Sequence, residues 1–161
     1  MTTAVAVERS PVTIRLATAA DRDALMRVLI DLAETSRYTG SAVVSGPHIS
    51  AMLSTLLANP DAGFIIAVDE DVVIGLLVLL LYDNLISGER GAAEVCWYVR
   101  PARRNGLGVR LLEAAEAWAA EHSARVMQMI SPDQRFGSVY FRRGYSPVHR
   151  VFERRLEPCR G

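Results

Sequence analysis

Apolar residues recur along this chain in two rhythms, one of period two and one of three to four. Val12, Ile14 and Leu16 alternate with Thr13 and Arg15, the spacing of a half-buried strand. Thr18-Ala-Ala-Asp21 has the form of a capping box, and Leu25, Val28, Leu29 and Leu32 then mark one face of a helix. Residues 36–47 read as a loop, and a second short helix is predicted from His48 to Ala58, ended by Asn59-Pro60. Phe64 to Val68 and Val72 to Tyr82 read as strands joined by the acidic turn Asp69-Glu70-Asp71. The second has few polar residues, which predicts a central place in the sheet. A polar connection from Asp83 to Gly91 leads to a strand over Ala92 to Val99. A helix is predicted from Leu107 to Glu121, with Leu111, Leu112, Ala115, Trp118 and Ala119 as its buried stripe. A strand over Arg125 to Ile130, a helix over Asp133 to Arg143 and a strand over Val148 to Leu156 complete the chain. The expected fold is α/β (α+β), in the order β-α-α-β-β-β-α-β-α-β, with one mixed sheet and helices on both faces.

The length of 161 residues suits one domain, expected over residues 11–161 behind a loose tail at 1–10. A domain of this size buries roughly 70% of its unfolded surface and needs no disulfide or metal staple. Half the residues are hydrophobic, so the core has material to extend into a subunit interface, as in a homodimer. The formal net charge is zero, which argues against general binding to nucleic acid or to an anionic membrane. Cys96 and Cys159 lack C-x-x-C spacing and read as free thiols in a reducing compartment. The first ten residues lack a signal-peptide pattern, and the longest apolar run, Val72 to Tyr82, is too short for a membrane helix. Together these favour a cytoplasmic location.

Positive charge is local, around Arg100 to Arg110, where a strand meets a helix, and again at Arg142, Arg143, Arg150, Arg154 and Arg155. The loop Arg103-Arg104-Asn105-Gly106-Leu107-Gly108 opens directly into Val109 and Arg110 of the third predicted helix. Helix starts carry unpartnered N–H groups and positive dipole charge, and they favour acidic side chains. Here arginines occupy that place, so the loop predicts an anion among them. It is not a Walker loop, because no Gly-Lys-Ser/Thr follows, and it is not the G-x-G-x-x-G dinucleotide fingerprint. The R-x-x-G-x-G pattern after a strand resembles the acyl-CoA loop of the GNAT superfamily of N-acyltransferases. A second segment strengthens the resemblance: Tyr140, then three residues, then Gly144 and Tyr145. The element order also matches, so the resemblance runs from about Val12 to the end. The stretch from Pro101 to Gly106 is one residue shorter than in many members, and Asp133 stands at a position that is commonly Asn.

The resemblance implies a mostly antiparallel central sheet flanked by helices, with acetyl-CoA as cosubstrate and no metal. It implies that Arg103, Arg104, Asn105, Gly106, Leu107, Gly108, Val109 and Arg110 hold the diphosphate. The backbone at Trp97 and Val99 would pair with the pantetheine arm, and Asp133 would contact the cofactor. Tyr140 would be the acid that protonates the departing sulfur. Glu94, the only carboxylate of its strand, would accept the amine's proton, or else is a solvent-facing strand glutamate or an ion-pair partner. His48, His122 and His149 lack metal-ligand spacing. Cys96 lies in an apolar setting that disfavours a thiolate, and reads as a packed cysteine. The implied activity is acetyl transfer to a primary amine of a small molecule or protein, by direct attack in a ternary complex. The alternative is a non-catalytic acyl-CoA-binding sensor or interaction module.

Overall fold

A computed structural model describes residues 11–35, 44–131, 134–149 and 154. The chain divides into two compact units, Met1–Ile130 and Ser131–Gly161. In the first, the described elements are β1 (Thr13–Leu16), α1 (Arg22–Thr35), α2 (Gly46–Leu57), β2 (Ala62–Asp69), β3 (Val72–Asp83), β4 (Arg90–Val99), α3 (Leu107–Glu121) and β5 (Val126–Gln128). The second contains α4 (Gln134–Arg142). The tail expected over residues 1–10 lies outside the described residues. So does most of the strand expected over Val148 to Leu156; Val148 and His149 themselves carry no regular structure.

The five strands lie in the order β1-β2-β3-β4-β5. All neighbours are antiparallel except β4 and β5, which are parallel and joined through α3. The expected mixed, mostly antiparallel sheet is therefore observed, with β3 at its centre. The capping box at Thr18 is present and makes a short 3-10 turn from Ala19 to Asp21 ahead of α1. Arg15 of β1 binds Asp21 at 2.8 Å and pulls its carboxyl far below the usual carboxylate range. The second helix starts at Gly46, two residues before the expected His48. Ser45 accepts a hydrogen bond from the His48 N–H, and Pro47 fits the first turn, where no N–H is needed.

Strand alternation divides the core in two. On one face Ile66, Leu76, Val78 and Tyr98 meet Leu25, Val28 and Leu29 of α1 and Leu53 of α2. On the other, Leu111, Leu112, Ala115 and Trp118 of α3 are buried, the stripe read from the sequence. Close approach on this second face depends on small residues. A Cβ at Gly63 would lie 2.8 Å from the Trp118 indole, and one at Gly75 would lie 3.2 Å from Leu111. These glycines let α3 lie low on the sheet and set the height of its N-terminus.

Gly63→Ala should therefore force the Trp118 ring out of its place. Overpacking of this kind costs about 1–3 kcal/mol. Thermal or denaturant unfolding of the variant measures the loss, and a melting curve equal to the parent's would refute the tight contact.

Candidate active site

The site forms where β4 leaves β5. In the β3–β4 ladder Val78 faces Cys96 and Leu79 faces Glu94, so Val95 is an extra residue on β4. Such a bulge bends a strand and increases its twist. The β4–β5 ladder runs only from Gly91–Val126 to Ala93–Gln128 and stops immediately before the bulge. Beyond it the strands part. This explains why β5 ends at Gln128 instead of the expected Ile130.

Glu94 is the first residue of β4 past the end of that ladder. Its side chain is buried, at 8% exposure, and Oε2 accepts a hydrogen bond from the Ile130 N–H at 3.0 Å. The carboxyl thus bridges the gap between the diverging strands. Burial pushes it up to about 7, with the Ile130 N–H acting in the opposite sense. A group poised near neutrality is suited to exchange a proton. The carboxyl is thus not solvent-facing, and no ion pair to it is found among the described residues. Cys96, packed against the first core, is pushed up to about 12 by burial and then by the Glu94 charge. It stays a thiol at neutral pH.

At the far end of β4 the turn Pro101–Arg103 leads to α3. Gly106 is the N-cap, with φ of 74°, a left-handed conformation that glycine adopts without strain. No side chain caps the helix, and its first turn holds no acidic residue. A Cβ at Gly108 would lie 3.2 Å from the Trp97 ring, so that ring lies beside the first turn. The arginines of the loop are engaged within the protein. Arg103 pairs at 2.5 Å with Asp69, which is 6% exposed. Arg104 Nε donates to the Val99 carbonyl at 3.2 Å, and Arg110 donates to the Val12 carbonyl at 3.0 Å. Arg104 and Arg110 keep their charge on neutral acceptors, whereas that of Arg103 is matched by a carboxylate. Asp69 was not singled out from the sequence. What marks it is its pairing with Arg103, distant in sequence, since β2 is buried on both faces.

The second unit is described by itself. Tyr140 lies in the last turn of α4 and is buried, its ring 5.4 Å from that of Tyr145. The Tyr145 N–H donates to the Tyr140 carbonyl at 3.0 Å. Gly144, with φ of 85°, closes the helix in the left-handed conformation, as its position predicts. Asp133 falls outside the described residues. His122 binds the Trp118 carbonyl at 2.8 Å at the end of α3. Among the described residues no three His, Cys, Asp or Glu side chains are grouped to hold a metal ion. No described helix is long and apolar enough to cross a membrane.

The acetyltransferase (GNAT) family matches residues 28–145. The chain belongs to this family of acetyltransferases. Among solved structures, a transcriptional regulator from Bacillus halodurans C-125 is similar with a TM-score of 0.75 and 20% identity, over 91% of this chain and 100% of that one. An aminoglycoside N-acetyltransferase in complex with CoA gives a TM-score of 0.72 and 18% identity, over 94% of this chain and 99% of that one. A ribosomal-protein-alanine N-acetyltransferase from Brucella melitensis gives 0.69 and 16%, over 91% and 100%. No curated protein matches the chain by sequence.

Glu94 makes stability depend on pH in a defined direction. In the folded chain it holds its proton to about pH 7, whereas its ordinary value is 4.5. Between those values the folded state binds more protons, so stability falls as pH rises from about 5 to about 8. Glu94→Gln should remove that slope, gaining on the parent by roughly 3 kcal/mol across the interval. Denaturant titrations of both proteins at the two ends check this; identical pH dependence in parent and variant would contradict it.

Proposed function

We propose that the protein transfers an acetyl group from acetyl-CoA to a primary amine of a small molecule or protein, by direct attack in a ternary complex. The observation that carries this reading is a buried carboxyl held near neutrality where β4 and β5 part, on the strand that leads into an uncapped, arginine-flanked helix start. The residues present suit an acyl-CoA. The first N–H groups of α3, with Asn105, Gly106, Leu107, Gly108 and Val109 around them, donate to the diphosphate, and Arg104 and Arg110 supply charge. The β4 backbone at Trp97 and Val99 faces the pantetheine arm, and Asp133 meets the cofactor's arm. Acetyl-CoA supplies the acetyl group as an activated thioester. Glu94 takes the proton from the amine nitrogen, directly or through a water. Tyr140 gives its phenolic proton to the departing sulfur. Cys96, kept as a thiol, is passed over, which suits direct attack and no acyl-enzyme. No step is assigned to a metal.

Residues 11–161 serve this reaction as one acetyltransferase domain in the cytoplasm, alone or as a homodimer, without nucleic acid or membrane. The likeness to an aminoglycoside and a ribosomal-protein N-acetyltransferase supports an amino group as acceptor. Release of CoA thiol from acetyl-CoA with a panel of aminoglycosides, polyamines and peptide N-termini tests the reading. Acetyl-CoA that binds without turnover with any amine would favour the sensor alternative.

Three variants follow from the assignment. Gly108→Asp puts a negative side chain where the diphosphate lies and should abolish acetyl-CoA binding in a folded protein; unchanged calorimetric affinity would remove the loop from the site. In the parent, kcat/KM should rise through about pH 7 as Glu94 ionises, and Glu94→Gln should lack that step. Tyr140→Phe keeps the ring and loses the proton donor. General acid catalysis is worth about 10²–10⁴-fold, so kcat should fall by that order while acetyl-CoA affinity changes little. The deficit should shrink with a thioester of a more acidic thiol, and parent-like turnover with chemistry rate-limiting would exclude Tyr140 as the acid.

A further inference from the structure

The buried Asp69 is outside every role described so far, and its surroundings are well defined. It ends β2 opposite Val72, across a two-residue hairpin turn whose Glu70 and Asp71 have φ of 47° and 65°. Both central residues in the left-handed region make the tight turn that matches strand twist. Asp69 is therefore fixed by the sheet. Arg103, its partner, closes the turn that opens α3. The same segment is tied at its other end, where Arg100 pairs with Asp31 of α1 at 2.9 Å and the Arg100 N–H donates to the Ile74 carbonyl. The stretch from Arg100 to Arg104 is thus clamped between α1 and the β2–β3 hairpin.

We propose that Asp69 is a positioning residue for the acyl-CoA loop: it holds Arg103 as a strut out of the diphosphate site and fixes the start of α3. The diphosphate is then met by helix N–H groups with Arg104 and Arg110, and Arg103 acts from behind the loop. The inference rests on the acyl-CoA reading of this loop. Its physical basis is that a buried carboxylate without its cation is strongly disfavoured, so the pair locks both partners. A loop locked before binding loses no ordering entropy when the ligand arrives.

The test compares acetyl-CoA with S-acetylpantetheine, which has no diphosphate, as acyl donors. Asp69→Asn should raise KM for acetyl-CoA on the order of 10-fold, leave kcat within about two-fold, and leave KM for S-acetylpantetheine unchanged. Arg103→Gln, on the more exposed partner, should show the same split with no larger loss, and it decides the matter if Asp69→Asn does not fold. The double variant should be no worse than the poorer single. Tighter acetyl-CoA binding by Asp69→Asn together with a larger loss in Arg103→Gln would make Arg103 a direct phosphate ligand and overturn the proposal. Equal KM changes for both donors, or parent values in both variants, would also overturn it. A parent protein that does not bind acetyl-CoA would instead fail the acyl-CoA reading itself.

Discussion

One inserted residue governs the site. With Val95 accommodated as a bulge, β4 cannot keep its register with β5, and the parallel ladder ends at Ala93. The parting strands leave main-chain groups that need partners away from water. One of these, the Ile130 N–H, is met by the Glu94 carboxyl, which is drawn inside and raised towards neutrality. Opening, buried carboxyl and proton affinity are therefore one feature seen at three levels. The cost falls on stability, because a buried carboxylate is disfavoured once it ionises.

A second constraint acts at the other end of the same strand. Several arginines near a helix N-terminus repel one another and the helix dipole. The fold relieves this unevenly. Arg100 and Arg103 are matched by Asp31 and Asp69, whereas Arg104 and Arg110 donate to carbonyls and pair with no carboxylate among the described residues. The result is two arginines held on carbonyls near the start of α3, in a chain whose formal net charge is zero. The ion pairs give the loop its shape, and the carbonyl-bound cations give it its field.

The sequence was most legible where periodicity and local chemistry agree. Helix α3 spans Leu107–Glu121 as read, because its apolar stripe and the glycine before it, Gly106, mark the same boundary. Gly144 in the left-handed conformation follows from its place after a helix. The start of α2 was misplaced because Gly46-Pro47 reads as a loop until Ser45 is seen to cap it. The bulge at Val95 was hidden, since β4 carries apolar residues at successive positions, the exposed Val95 among them, and so offers no alternation from which to read a slipped register. Glu94 was singled out, but its burial depends on Ile130, a partner supplied by tertiary structure. Asp69 was read only as part of an acidic turn, and what distinguishes it is an arginine distant in sequence. Charge is written locally; the pairing of charges is not.

The chain contains two tryptophans, and the fold places them in unlike settings. Trp118 is buried against Gly63, where α3 lies on the sheet. Trp97 is partly exposed and borders the first turn of α3 at Gly108. Each indole therefore reads a different event. Emission from Trp118 follows the integrity of the interior, and emission from Trp97 follows the surroundings of the first turn of α3. With either one replaced by phenylalanine, the protein becomes its own fluorescent gauge, of the interior in one case and of the helix tip in the other.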